Sequence, residues 1–80
     1  MEIYEVVGFR RVHFKDTKQN KEIDGYTLFL QREPEDDQIV GLECAKQFIA
    51  SEYVAYTPQV GDRIQLIYNR YGKISSIQTC

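Results

Sequence analysis

Cations, some with aromatic rings beside them, gather at three places in this 80-residue chain. Arg70, Tyr71 and Lys73 share the stretch NRYGK, Lys15, Lys18 and Lys21 punctuate the apolar-free stretch KDTKQNK, and Arg10, Phe29 and Lys46 lie on stretches of strand-like composition. An ammonium or guanidinium attracts phosphate, and an exposed ring offers a nucleobase a face to stack on, worth roughly 1–3 kcal/mol per base. These residue types suit a single-stranded nucleic acid held by backbone charge and stacking, with little readout of sequence. Tyr71, at a turn tip, has little to bury against, which favours its exposure. Phe9, Phe14, Phe29 and Phe48 are each expected in the core rather than as a platform, because so small a domain needs large rings inside.

Catalytic chemistry finds no comparable grouping. His13 is the single histidine, Ser75-Ser76 has no identifiable base, and Asp36 and Asp37 belong to a run of acids that reads as a solvated loop. A metal-dependent nuclease would need inward carboxylates on strands, and Glu43 is the one tempting residue. No glycine-rich loop precedes a helix to cradle phosphate. Cys44 and Cys80 with one histidine cannot supply a four-ligand zinc site, and they read as reduced thiols. The expectation is a non-enzymatic protein with no metal, no cofactor and no small-molecule substrate. No apolar stretch reaches signal-peptide length or the roughly 20 residues of a membrane span, so a soluble, cytoplasmic chain is expected.

The elements that must position the cations are clearest at residues 60–78. Val60-Gly61-Asp62 enters a strand over residues 63–68, with Ile64, Leu66 and Tyr68 on one face. Asn69 begins a type I turn and Gly72 supplies the positive φ of a glycine bulge. The partner strand, residues 73–78, has Ile74 and Ile77 three apart, which predicts a bulge near Ser75-Ser76. Residues 3–14 are too long for one flat strand, and Gly8 is read as its hinge. Tyr4 and Val6 point inward before it; after it, either Phe9 or the pair Val12 and Phe14 does. Arg10 and Arg11 must point to opposite faces.

A hairpin loop over residues 15–21 leads to a second strand, residues 22–31, with Tyr26, Leu28 and Leu30 inward and Phe29 either at a bulge or exposed. The acidic loop REPEDDQ, residues 32–38, follows. Residues 39–50 fit both a helical stripe and a strand. Gly41 and the β-branched Ile39 and Val40 favour a strand, bulged near Ala45. Ser51 can cap one helical turn over residues 51–55, and Tyr53 and Tyr56 either staple this connector to the barrel or form a dimer contact.

Charge is segregated along the chain. Residues 1–7 carry −2 through Glu2 and Glu5; residues 8–21 carry +4, residues 22–62 carry −7, and residues 63–80 carry +3, for a net −2. Nucleic-acid-binding domains are often basic, so the total favours a protein partner while the distribution favours a basic face.

This order of elements is that of an all-β, five-stranded OB-like Greek-key barrel with at most one short helical turn, a single domain over residues 1–80. The run Val60-Gly61-Asp62 through Tyr68-Asn69 to Gly72-Lys73-Ile74, with the opening VVGFRRVHF and Gly25-Tyr26, resembles small OB-like proteins of phages and mobile elements of Gram-positive bacteria. These are similar in turn to the single-stranded DNA-binding protein of filamentous phages, which coats replicating DNA as a dimer. The resemblance implies single-stranded DNA binding by a homodimer in phage or plasmid replication or transfer. In such a barrel the first and last hairpin loops flank the face of strands two and three. That makes Arg10, Lys15, Lys18, Lys21, Phe29, Lys46, Arg70, Tyr71 and Lys73 the expected contacts. The alternative is a protein-interaction or assembly module on the same barrel, using the acidic loop over residues 33–37 and the connector over residues 53–56.

Overall fold

The computed structural model describes residues 3–80; Met1 and Glu2, the latter part of the N-terminal charge count, lie outside the described residues. Five strands form one antiparallel sheet: β1 (Ile3–Asp16), β2 (Lys21–Arg32), β3 (Glu43–Ala50), β4 (Arg63–Tyr68) and β5 (Ile74–Thr79). Their spatial order is β3-β2-β1-β4-β5. The first four strands therefore stand in Greek-key order, β4 returning by a long connection to lie beside β1. The sheet is open: β3 forms one edge, β5 the other, and no ladder joins them. Among the described residues there is no helix.

Cross-strand register divides the residues between two faces. Val6 stands opposite Leu30, Phe9 opposite Leu28, Tyr26 opposite Ile49 and Tyr4 opposite Ile64. Tyr4, Val6, Leu28, Leu30, Ile49, Ile64 and Leu66 are buried on this inner face, joined by Val54 of the connector. Each aliphatic side chain buried there contributes roughly 1.5–3 kcal/mol.

The bend in β1 is a bulge at Val7. Val6 pairs with Leu30 and Gly8 with Phe29, leaving Val7 without an opposite number. The extra residue reverses the alternation, so inward positions are even-numbered before it and odd-numbered after it. Phe9 accordingly shares the Leu28 face and meets Tyr26 edge-on at 5.9 Å, whereas Val12 and Phe14 turn outward. The hinge expected at Gly8 thus falls at the Val7-Gly8 step, and the choice left open after it is settled for Phe9.

Pairing of β1 with β4 covers only Ile3–Glu5, and β3 begins its pairing with β2 at Gly25. The hairpin over residues 13–24 therefore projects as a two-stranded ribbon, in a molecule 45 × 28 × 23 Å in extent. The strands run to Asp16 and from Lys21, so the turn is shorter than the predicted loop and covers residues 17–20, with Asn20 at φ 49°.

The third strand departs from expectation. It starts at Glu43 rather than residue 39, because Gly41 adopts φ 92° and diverts the chain before the ladder begins. Its pairing with β2 runs without a break from Arg32↔Glu43 to Gly25↔Ala50, so there is no bulge at Ala45. Nor does Ser51 cap a helix: its N–H extends the ladder to the Asp24 carbonyl, and the following turn closes with the Val54 N–H on the Ala50 carbonyl at 2.9 Å. The connector is tied down by Val54 and by Tyr56, which packs against the core and donates to Asp62 Oδ2 at 2.6 Å. Gly61 N–H and the Asp62 carbonyl then clasp the carbonyl and N–H of Val6, both at 2.8 Å, which prolongs the β1–β4 contact up to the bulge.

The last hairpin follows its prediction closely. The Gly72 N–H reaches the Asn69 carbonyl at 3.0 Å, Gly72 has φ 77°, and Ser75 is the extra residue between the Ile67↔Ser76 and Tyr68↔Ile74 pairs.

Candidate nucleic-acid interface

The outer face of β1–β3 is built by the same register that fills the core. Successive cross-strand rows present Gly8, Phe29 and Lys46; then Arg10, Thr27 and Phe48; then Val12, Gly25 and Ala50; and on the ribbon Phe14 with Ile23. None of these positions holds a carboxylate. Acids return only at the margins, with Asp16 at the ribbon end and Glu5 at the other. Phe14, Phe29 and Phe48 are 53%, 40% and 39% exposed, values far from those of core rings. The core expected of all four phenylalanines is instead made of aliphatic residues and Tyr4, because three of the rings lie on the opposite side of the sheet and Phe9 sits at the rim.

Glycine makes room for the rings. A Cβ at Gly25 would stand 3.0 Å from Phe48 Cζ and 2.0 Å from the Ile49 carbonyl oxygen, and one at Gly8 would touch Phe29 at 3.6 Å. Between Val7, Phe29 and Lys46 the surface dips into a cavity of about 370 Å³.

Arg10, Phe29 and Lys46, singled out from the sequence, are thus brought onto one face, and Phe48, Val12 and Phe14 join them. Nothing in the order of residues placed Phe48 there; its assignment depends on which residue of β2 it faces. Arg11 points the other way, as alternation requires. Its guanidinium bonds Asp24 Oδ1 at 2.7 Å and lies over the Tyr26 ring, and this carboxylate contact raises its pKa.

The hairpin cations are placed differently. Lys15 stands opposite Glu22 on the inner side of the ribbon, and Lys18 sits at the tip, where its backbone N–H bonds Asp16 Oδ1. Lys21 is engaged: its Nζ lies 3.3 Å from Glu52 and over the Tyr53 ring, and Glu52 raises its pKa. At the other hairpin, Asn69 Oδ1 accepts from the N–H groups of Tyr71 and Lys73, which fixes the turn and leaves Tyr71 71% exposed beneath the Arg70 guanidinium. This turn reaches towards β3, where Gly72 and Lys73 line a cavity shared with Phe48 and Tyr53. The outer face, that cavity and the Tyr71 turn are therefore neighbours, while Lys15 and Lys18 stand off at the ribbon end.

Among the described residues no group of three or more His, Cys, Asp or Glu side chains is placed to hold a metal ion. Glu43 is committed to Arg32, which bonds Glu43 Oε2 at 2.9 Å. His13 lies 4.0 Å from Glu22 on the exposed ribbon. Among the same residues no helix is long and apolar enough to cross a membrane. No protein-family model matches the chain, and neither a curated protein nor a solved structure matches it.

Proposed function

We propose that the protein is a non-enzymatic binder of single-stranded DNA with little sequence preference, acting as a homodimer in the replication or transfer of a phage or plasmid. In this reading the open sheet is an OB-type barrel with its β3–β5 seam parted, and the chain is kin to the small OB-like proteins of phages and mobile elements that its motifs resemble. The strand order supports the fold assignment, since a ladder between β3 and β5 is all that closure would add.

One observation carries the functional reading. The outer face of β1–β3 holds Phe14, Phe29 and Phe48 exposed with Arg10 and Lys46 among them, and its carboxylates, Glu5 and Asp16, stand only at the two ends. In a chain of net charge −2 that face is where a polyanion with stackable bases meets the least repulsion. Bases stack on the rings, phosphates lie along Arg10 and Lys46, and the strand leaves past Tyr71, Arg70 and Lys73.

Titration with an oligothymidylate, followed by tyrosine fluorescence at low and physiological salt, tests this. Quenching with an affinity that falls as salt rises is the expected result, and no binding at low salt overturns the reading. An oligouridylate run in parallel ranks DNA against RNA.

The second reading, a protein-interaction module, is favoured by the β2–β3 connection, where Val40 at 97% exposure and Leu42 at 48% stand beside Glu33, Glu35, Asp36 and Asp37. A basic partner with an apolar contact would suit that loop.

A further inference from the structure

The seam between β3 and the β4–β5 hairpin is more than a gap in the ladder. It forms a half-open groove of about 400 Å³, within the range of roughly 300–1,000 Å³ typical of small-ligand sites. Phe48, Tyr53 and Tyr68 supply rings to its wall, Gln47 an amide and Lys73 an ammonium, and the lining contains no carboxylate. Tyr53 and Tyr68 are 67% and 45% exposed, and Lys21 covers one face of the Tyr53 ring.

A purely apolar groove would suit many occupants, but this lining is selective. The rings favour a flat π-system, the lone cation favours an anion attached to it, and the amide can both donate and accept along a polar edge. We propose that the seam takes one nucleotide of a bound strand, its base among Phe48, Tyr53 and Tyr68 and its phosphate on Lys73. The inference rests on the single-strand reading above and adds a discrete subsite to it. Phe48 belongs to both the outer face and the seam, so a strand crossing the face can turn one base inward there without leaving the protein. Lys21, held over the Tyr53 ring, steadies the far wall.

The probes are millimolar thymidine monophosphate and an oligothymidylate, each followed by amide and side-chain NMR shifts on the intact protein. Shifts from the mononucleotide confined to Gln47, Phe48, Tyr53, Tyr68 and Lys73 are expected. Gln47→Glu, which places a carboxylate in the seam at a half-buried position of like size, is expected to abolish those shifts and to weaken the oligonucleotide roughly tenfold. If the oligonucleotide binds on Arg10, Phe29 and Lys46 while the mononucleotide shifts nothing and Gln47→Glu is silent, the subsite is overturned and the single-strand reading stands. If neither probe binds, both are overturned.

Discussion

Arg10 and Lys46 lie between the marginal acids of the outer face, Glu5 and Asp16, and among the described residues neither is held in an ion pair as Arg11 and Lys21 are. A cation already satisfied by Glu52 or Asp24, as Lys21 and Arg11 are, must give up that partner to meet phosphate, whereas these two need not. Arg10→Glu and Lys46→Glu are therefore each expected to weaken oligothymidylate binding and to lower the slope of log affinity against log salt by about 0.7. Tyr71→Ala is expected to leave the fold intact and to weaken binding roughly tenfold, the value of one stacked base; unchanged affinity would remove Tyr71 from the interface. Tyr56 is of another kind. Burial, and secondarily its bond to Asp62, raise its pKa above the ordinary phenol value of about 10. The folded state thus keeps the phenolic proton longer than the unfolded chain does, so its stabilising effect is full below about pH 10 and is lost as pH rises beyond it. Tyr56→Phe should cost about 1 kcal/mol at neutral pH and blunt that alkaline decline, as read by urea melts across the range.

At the scale of elements, the two hairpins show what could be read in advance and what could not. The β4–β5 hairpin was legible because Asn69, Gly72 and the Ile74–Ile77 spacing fix its turn and its bulge through contacts a few residues apart. The β1–β2–β3 face was not, since an extra residue at Val7 reverses every side chain after it, and nothing local says which side of Gly8 carries the extra residue. The alternation of residues 22–31 fixed the buried Leu28 and Leu30, but the role of Phe48 waited on its pairing with Thr27. Gly41 was read as an argument against a helix when its part is to delay the strand. Gly25 is where these elements press closest. Gly25→Ala would drive a Cβ to 2.0 Å from the Ile49 carbonyl, so the β2–β3 ladder must shift, at a cost of about 1–3 kcal/mol in a denaturant melt. The projecting ribbon carries its own expectation. With no third strand beside residues 13–16 and 21–24, its amides should exchange with solvent well before those of Val6, Leu28 and Ile64.

For the whole molecule, net charge is a poor guide to partner because the acids leave the middle of the outer face clear. The inner side of the ribbon pairs Arg11 with Asp24 and sets His13 near Glu22, and the β2–β3 connection concentrates carboxylates at the end far from the ribbon tip. Repulsion from those acids should orient an approaching polyanion onto the opposite face. Charge reversal at Lys18, far out on the tip, asks how far the strand extends: it should reduce affinity and flatten the salt dependence if DNA reaches the ribbon, and change neither if the strand stops at Phe48.

Ile64 lies between Tyr4 on one side and Thr79 on the other. Two strand spacings, about 10 Å, therefore separate the first strand from the last at that point. A short linker from Thr79 back to Ile3 would join β5 to β1, and cutting within residues 17–20 would reopen the chain at the ribbon tip. Such a circular permutant keeps every ladder of the sheet while reordering the sequence that encodes it.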